Sequence, residues 1–260
     1  MKERPPRGAS KTRADLLLVD RGLAETRSRA QSLILAGRVL SGERRIEKSG
    51  ELIAADAPLS LRERERFVSR GGEKLDGALA ALGIEVKGAV CADVGASTGG
   101  FTDCLLQRGA ARVFAIDVGH GQLAQALRLD PRVVVLERTN ARHLTAESLG
   151  APVDVVVADV SFIGLGQLLP AFCEIITPGG MLLALVKPQF EAGRLEVARG
   201  KGVIRDETVR RSTVDRVAKA IEGAGFELLG EVDSVLTGPK GNRERFVLAR
   251  MSPETPPLSA

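Results

Sequence analysis

Seven short apolar runs, at residues 91–94, 112–117, 133–136, 153–159, 181–187, 226–229 and 246–249, punctuate the later part of this chain. Helical stretches at 165–176 and 209–224 lie among them. Most of these runs are continuous rather than alternating with polar residues, so neither face of the strands can meet water. The solution open to such a chain is α/β: a mostly parallel seven-stranded sheet, Rossmann-like, with helices on both faces. The last two runs flank a polar loop at 237–242 and read as an antiparallel hairpin. With 44% apolar residues among 260, the chain can bury such a core and still build a second, smaller unit.

Residues 11–61 have that smaller unit's character. Ala14 opens an amphipathic helix broken near Gly22, Thr26 caps a second that ends at Gly37, and short strands follow around 39–45, 52–54 and 58–61. Charge is uneven: residues 1–74 hold 17 Lys and Arg against 11 Asp and Glu, leaving 20 against 22 beyond. A basic module beside a near-neutral body suits a polyanion, because phosphate contacts supply most sequence-independent affinity for nucleic acid. Arg13, Arg27, Arg29 and Arg38, with Arg70 further on, are the candidate RNA contacts. The motifs Arg13-Ala14-Asp15-Leu16-Leu17, Ser28-Arg29-Ala30-Gln31 and Ala36-Gly37-Arg38-Val39 resemble the small α+β RNA-binding domain shared by a ribosomal protein, pseudouridine synthases and a tRNA synthetase. The charged run at 62–70 reads as an interdomain connector, 71–251 as the second domain, and the Pro-rich tail from 253 as disordered.

Within the second domain, Asp93-Val94-Gly95-Ala96-Ser97-Thr98-Gly99-Gly100-Phe101-Thr102 follows a buried strand and opens a helix, and the next strand ends in Asp117. An acid there suits ribose hydroxyls, while the Gly-x-x-x-Gly-Gly spacing differs from the Gly-x-Gly-x-x-Gly that grips a pyrophosphate. A nucleoside ligand with a cationic centre and no phosphate fits better: S-adenosylmethionine. Asp93, Gly95, Ala96, Ser97, Gly99, Gly100, Phe101, Thr102, Asp117, Asn140, Ala141 and Asp159 are the candidate cofactor contacts. Asp93 and Asp103 face two readings, contact to the methionine end or capping of a turn or helix.

No metal is expected, because Cys91, Cys104 and Cys173 sit in apolar patterns without ligand spacing. Buried thiols suit a reducing, cytoplasmic setting. No stretch reaches the roughly 20 apolar residues needed to span a bilayer, so no membrane insertion is expected. Trp and Tyr are absent and Phe numbers eight, leaving Arg and Lys as the main route to RNA.

Ligands of open α/β sheets bind at the carboxyl ends of strands, where Asp159 and Lys187 end two runs. Lys74 and Glu244 are the other prominent charges. Ser69-Arg70-Gly71-Gly72-Glu73-Lys74-Leu75, the glycine loop, Ala158-Asp159-Val160-Ser161-Phe162, Val186-Lys187-Pro188-Gln189-Phe190-Glu191 and Thr237-Gly238-Pro239-Lys240-Gly241-Asn242-Arg243-Glu244 together closely resemble the TlyA family. That family joins an RNA-binding domain to an FtsJ/RrmJ-like ribose methyltransferase. The resemblance implies a catalytic tetrad of Lys74, Asp159, Lys187 and Glu244, and 2′-O-methylation of cytidine in the ribosomal RNA of one or both subunits. A lysine serves as general base only where desolvation or a second cation favours its neutral form; left charged, it stabilises a developing alkoxide. Both roles stay open for Lys187. Two other functions compete: a ribosome-binding assembly factor whose methylation is incidental, and the haemolysin that some family members are called. Long apolar or amphipathic membrane segments, which the haemolysin reading needs, are not found in the sequence.

Overall fold

The computed structural model describes residues 10–62, 66–191 and 203–253. It divides into two compact units, Met1–Glu65 and Arg66–Ala260. In the first, strand β1 (Lys11–Arg13) leads into helix α1 (Ala14–Asp20), and helix α2 (Arg27–Leu35) is capped by the Thr26 side chain, which accepts from the Arg29 N–H at 3.2 Å. Strands β2 (Val39–Ser41) and β3 (Arg44–Arg45) form a hairpin that continues to β4 (Leu52–Ala54) and β5 (Leu59–Leu61). Three of these form a sheet in the order β3-β2-β5, while β4 pairs antiparallel with β1. Basic, three residues long and without apolar alternation, β1 carries no strand signal in the sequence. Leu17, Leu18, Leu33, Ile34 and Ile46 form the core under the two helices.

At the centre of that unit lies a buried carboxylate. Asp15 accepts from Arg13 Nε and Nη2 at 3.0 and 2.9 Å, from Arg27 Nε at 2.9 Å and from Gln31 Nε2 at 3.0 Å. These donors hold its carboxyl far below the usual carboxylate range. Two of the arginines proposed to meet RNA are therefore pinned at their roots by one acid, with the rest of each guanidinium outside.

The second unit opens with Phe67, which is buried although it falls in the stretch 62–70 that reads as a connector; residues 63–65 lie outside the described residues. Helix α3 (Arg70–Ala81) follows, a helix the sequence disguises because Gly71 and Gly72 stand in its first turn. Gly72 serves close packing. A Cβ on Gly72 would lie 2.2 Å from the Phe67 ring.

The remaining elements alternate: β6 (Val90–Val94), α4 (Gly100–Gln107), β7 (Arg112–Ile116), α5 (Gln125–Arg128), β8 (Val133–Leu136), α6 (Ala146–Leu149), β9 (Val153–Ala158), α7 (Leu169–Ile175), β10 (Ile176–Val186), α8 (Pro188–Glu191), a helix over Glu207–Gly223, β11 (Phe226–Asp233) and β12 (Arg245–Met251). Strand order is β11-β12-β10-β9-β6-β7-β8, with β12 antiparallel to both its neighbours and the other pairings parallel. The continuous apolar runs of β6, β7, β9 and β10 thus become strands buried on both faces, while β8 at the sheet edge is half-buried and β11 at the other edge alternates. Ile176, which the periodicity assigns to the preceding helix, instead pairs with Val153 of β9. Pro178 disfavours the helical conformation at Thr177 and forces the earlier stop. The tail from residue 254 lies outside the described residues.

Candidate active site

The carboxyl ends of β6, β7 and β9 lead into the residues of one cleft. Beyond β6 the chain turns through Gly95 at φ +88°, where a Cβ would fall 2.7 Å from the Asp159 carbonyl oxygen, so only glycine lets the two loops pass. Asp117, the first residue after β7, accepts the Ser97 N–H on one carboxylate oxygen at 2.8 Å and the Gly119 N–H on the other at 2.7 Å. Each oxygen keeps acceptor capacity, as a vicinal diol requires. Asp117 borders a cavity of about 340 Å³ together with Gly95, Ser97, Asn140, Ala141 and Asp159. Ile116, Val118, Ile163 and Leu168 give the same cavity apolar walls. An apolar slot for a base, an anchored acid for a ribose and the Asp159 carboxylate on the same wall for a cationic centre together fit S-adenosylmethionine.

A second cavity of about 220 Å³ shares Gly95, Ser97 and Asp159 with the first and is bordered also by Arg70, Lys74 and Phe101. Lys74 and Asp159 on its wall each form an ion pair with a tetrad candidate that borders neither cavity, Glu244 and Lys187 respectively. Lys74, one turn into α3, meets Glu244 Oε2 at 2.5 Å, and both are buried. Lys187, directly after β10, has its Nζ 2.6 Å from Asp159 Oδ1 and donates to Ser161 Oγ at 3.0 Å and to the Asp159 carbonyl at 3.5 Å. Gly238 lies flat against the acid of the other pair: a Cβ there would sit 2.0 Å from Glu244 Oε1.

Not every residue read from the glycine loop reaches a cavity. Ala96, Gly100 and Phe101 line the second one, but Asp93, Gly99 and Thr102 line neither. Gly99, at φ +95°, faces Leu127 and Leu123. Asp93 is fully buried and accepts from Thr102 N at 2.8 Å and Thr102 Oγ1 at 2.6 Å, so it ties down the start of α4. Asp103 likewise anchors main chain, accepting from the Val68 N–H at 2.8 Å.

Burial, aided by the charges of Asp159 and Asp117 and opposed by the bonds from Thr102, pushes the Asp93 carboxyl up to about 7. Between its ordinary value of 3.8 and about 7 the folded chain holds a proton that the unfolded chain releases, so this acid lowers stability as pH rises through that window. The melting-temperature difference between Asp93→Asn and the parent chain should therefore shift in the variant's favour from about pH 4 to about pH 7 and level off above. A difference independent of pH would remove Asp93 as the source.

Gln122, Thr139, Ser161 and Phe162, none of them among the candidates from the sequence, also line the first cavity. Phe162 is 91% exposed, holds φ +67° and packs on Phe190 with ring centroids 5.0 Å apart. An aromatic directly after a strand-end Asp-Val-Ser is a signal that could have marked it. Among the arginines, Arg29 is exposed, Arg38 donates its Nε to the Arg62 carbonyl at 3.2 Å, and Arg70 donates to the Thr237 carbonyl at 3.1 Å on the wall of the second cavity. All three cysteines are buried thiols, with Cys91 and Cys104 pushed up to about 12 chiefly by burial. Among the described residues no cluster of His, Cys, Asp and Glu could hold a metal, and no helix is long and apolar enough to cross a membrane.

The FtsJ-like methyltransferase family model matches residues 67–251, and the S4 domain model matches residues 12–56. The chain is 48% identical over 244 residues to the 16S/23S rRNA (cytidine-2′-O)-methyltransferase TlyA of Mycobacterium tuberculosis, covering 93% of this chain and 91% of that one. A solved structure from Streptococcus thermophilus that carries a hemolysin designation shares 39% identity at a TM-score of 0.72, covering 96% of this chain and 91% of the other. A Listeria monocytogenes structure assigned to the S-adenosylmethionine-dependent methyltransferases shares the fold, with a TM-score of 0.53 at 16% identity over 71% of this chain and all of that one. The anchored acid after β7, the glycine turn after β6 and the two lysine-carboxylate pairs thus sit in a chain that belongs to the TlyA family of FtsJ-like, S-adenosylmethionine-dependent methyltransferases, with an S4 domain ahead of the catalytic one.

Proposed function

We propose that this chain transfers the methyl group of S-adenosylmethionine to the 2′-hydroxyl of cytidine in the ribosomal RNA of one or both subunits, and that its S4 domain holds the RNA. The carrying observation is the pairing of Lys74 with Glu244 and of Lys187 with Asp159 beside a cavity that fits the cofactor. The substrate reading rests on the M. tuberculosis relative, whose name specifies cytidine 2′-O-methylation of 16S and 23S rRNA. A ribosomal substrate would place the protein in the cytoplasm.

The cofactor supplies a methyl group already activated by a sulfonium charge. What the protein must add is position and a way to make a ribose oxygen nucleophilic. Asp159 borders both cavities and is the natural hinge between cofactor and target. Held by Asp159 and Ser161, the Lys187 amine would meet the ribose oxygen in one of two ways: neutral, it takes the hydroxyl proton as the oxygen–methyl bond forms; charged, it stabilises the developing alkoxide while solvent takes that proton. The Lys74–Glu244 pair would fix the ribose from the side of α3, so that much of the rate gain comes from alignment. Arg70, on the same wall, would meet a phosphate of the incoming strand.

The test is transfer of labelled methyl from S-adenosylmethionine to undermethylated ribosomal subunits and to naked rRNA, with the RNA digested to nucleosides and the product identified by mass spectrometry. 2′-O-Methylcytidine is expected. Cofactor binding without any methylated nucleoside would leave the binding-factor reading in its place.

A further inference from the structure

The loop between β7 and α5 carries Asp117, Val118 and Gln122 onto the wall of the cofactor cavity, yet it contains two glycines and an exposed Val118, a composition with little rigidity of its own. Something outside the loop must hold it. Glu137, the first residue after β8, lies behind it with a side chain 13% exposed. One of its carboxylate oxygens accepts the Gly121 N–H at 2.8 Å and meets Arg128 Nη2 of α5 at 2.6 Å; the other lies 3.0 Å from His120 Nδ1. A single carboxylate therefore ties the far end of the loop and the helix after it to the end of β8. Main-chain bonds from the same strand end complete the clamp: Arg138 N donates to the Gly119 carbonyl at 3.0 Å and Thr139 N to the Asp117 carbonyl at 3.0 Å. Arg138 adopts φ +54°, so the chain accepts a left-handed residue directly after Glu137. The acid is engaged enough that its carboxyl is pulled down to about 2, with Arg128 the largest cause.

We propose that Glu137 is a positioning residue for cofactor binding, acting through His120, Gly121 and Arg128 to hold Asp117 and Gln122 in the register that receives the ribose end of S-adenosylmethionine. The inference rests on the cofactor reading of this cavity. It adds a residue that does not itself border the cavity. A loop braced from behind leaves the ligand less ordering free energy to supply.

Calorimetric titration with S-adenosylhomocysteine, which does not depend on turnover, is the test. Glu137→Ala should weaken binding by about tenfold or more, and should raise KM for S-adenosylmethionine while kcat at saturating cofactor stays within about twofold of the parent. Glu137→Gln keeps an acceptor for the Gly121 N–H and should recover part of the affinity, which guards against an alanine variant that fails to fold. Because Glu137 acts through the loop that holds Asp117, the affinity losses of Glu137→Ala and Asp117→Ala should be strongly non-additive when combined. Unchanged affinity in both Glu137 variants, or additive losses in the double variant, would overturn the proposal. Failure of the parent chain to bind S-adenosylhomocysteine would instead overturn the cofactor reading beneath it.

Discussion

Lys187→Ala should lower methyl transfer by about 10²–10³-fold or more while leaving cofactor affinity close to that of the parent and lowering the melting temperature by only a few degrees. The expectation follows from where the side chain stands. Lys187 is the first residue beyond β10, outside the strand's buried ladder, and its amine contacts Asp159, Ser161 and, more distantly, the Phe190 ring at 5.9 Å. Its loss unpairs Asp159, which is 22% exposed and borders both cavities, so water takes over part of the partner's role and the cost should be about 1–2 kcal/mol, less than for a fully buried pair. Lys187→Arg divides the two chemical roles. Arginine keeps the positive charge but does not act as a base, so appreciable residual transfer would assign the residue to alkoxide stabilisation, and loss equal to that of alanine would support proton removal. Full turnover in Lys187→Ala would remove Lys187 from the mechanism.

The features that were legible in the sequence are those whose cause is local. β6, its glycine turn and the acid after β7 could be read because an apolar run, a residue tolerant of positive φ and a carboxylate at a strand end each leave a mark within a few residues. Asp159 and Lys187 follow the same rule, each just past an apolar strand. Lys74 and Glu244 do not: their contact spans 170 positions and exists because α3 packs beside the loop ahead of β12, a tertiary fact that resemblance could suggest and periodicity could not. The helix holding Lys74 is itself masked by Gly71 and Gly72, and the missing side chain of Gly72 answers to Phe67. Asp93 shows the opposite difficulty. Its place at the head of the loop is that of a ligand contact, and only burial reveals that its partner is Thr102. Asp15 and Glu137 were invisible for a related reason, since an acid that organises arginines or loop amides looks in one dimension like any other surface charge.

Glu244→Ala should be inactive for a different reason and should also unfold at markedly lower temperature. Glu244 is 1% exposed and Lys74 8%, so removing the acid strands a buried ammonium whose only recorded ion partner among the described residues is gone. Breaking a buried pair from one side costs about 3–5 kcal/mol, most of it the uncompensated charge rather than the lost attraction. The same logic predicts that stability returns when both partners are removed. Lys74→Met combined with Glu244→Gln replaces two charges by neutral groups of similar size and should regain most of the melting temperature lost in Glu244→Ala, while methyl transfer remains absent. Thermal denaturation followed by circular dichroism, with the transfer assay on the same samples, separates the outcomes. A double variant as unstable as Glu244→Ala would mean that the stranded charge of Lys74 is not the source of the loss, since glutamine at 244 keeps the side chain that lies against Gly238. A double variant that is stable and still transfers methyl groups would show that the pair holds α3 and the loop before β12 together and takes no part in aligning the ribose.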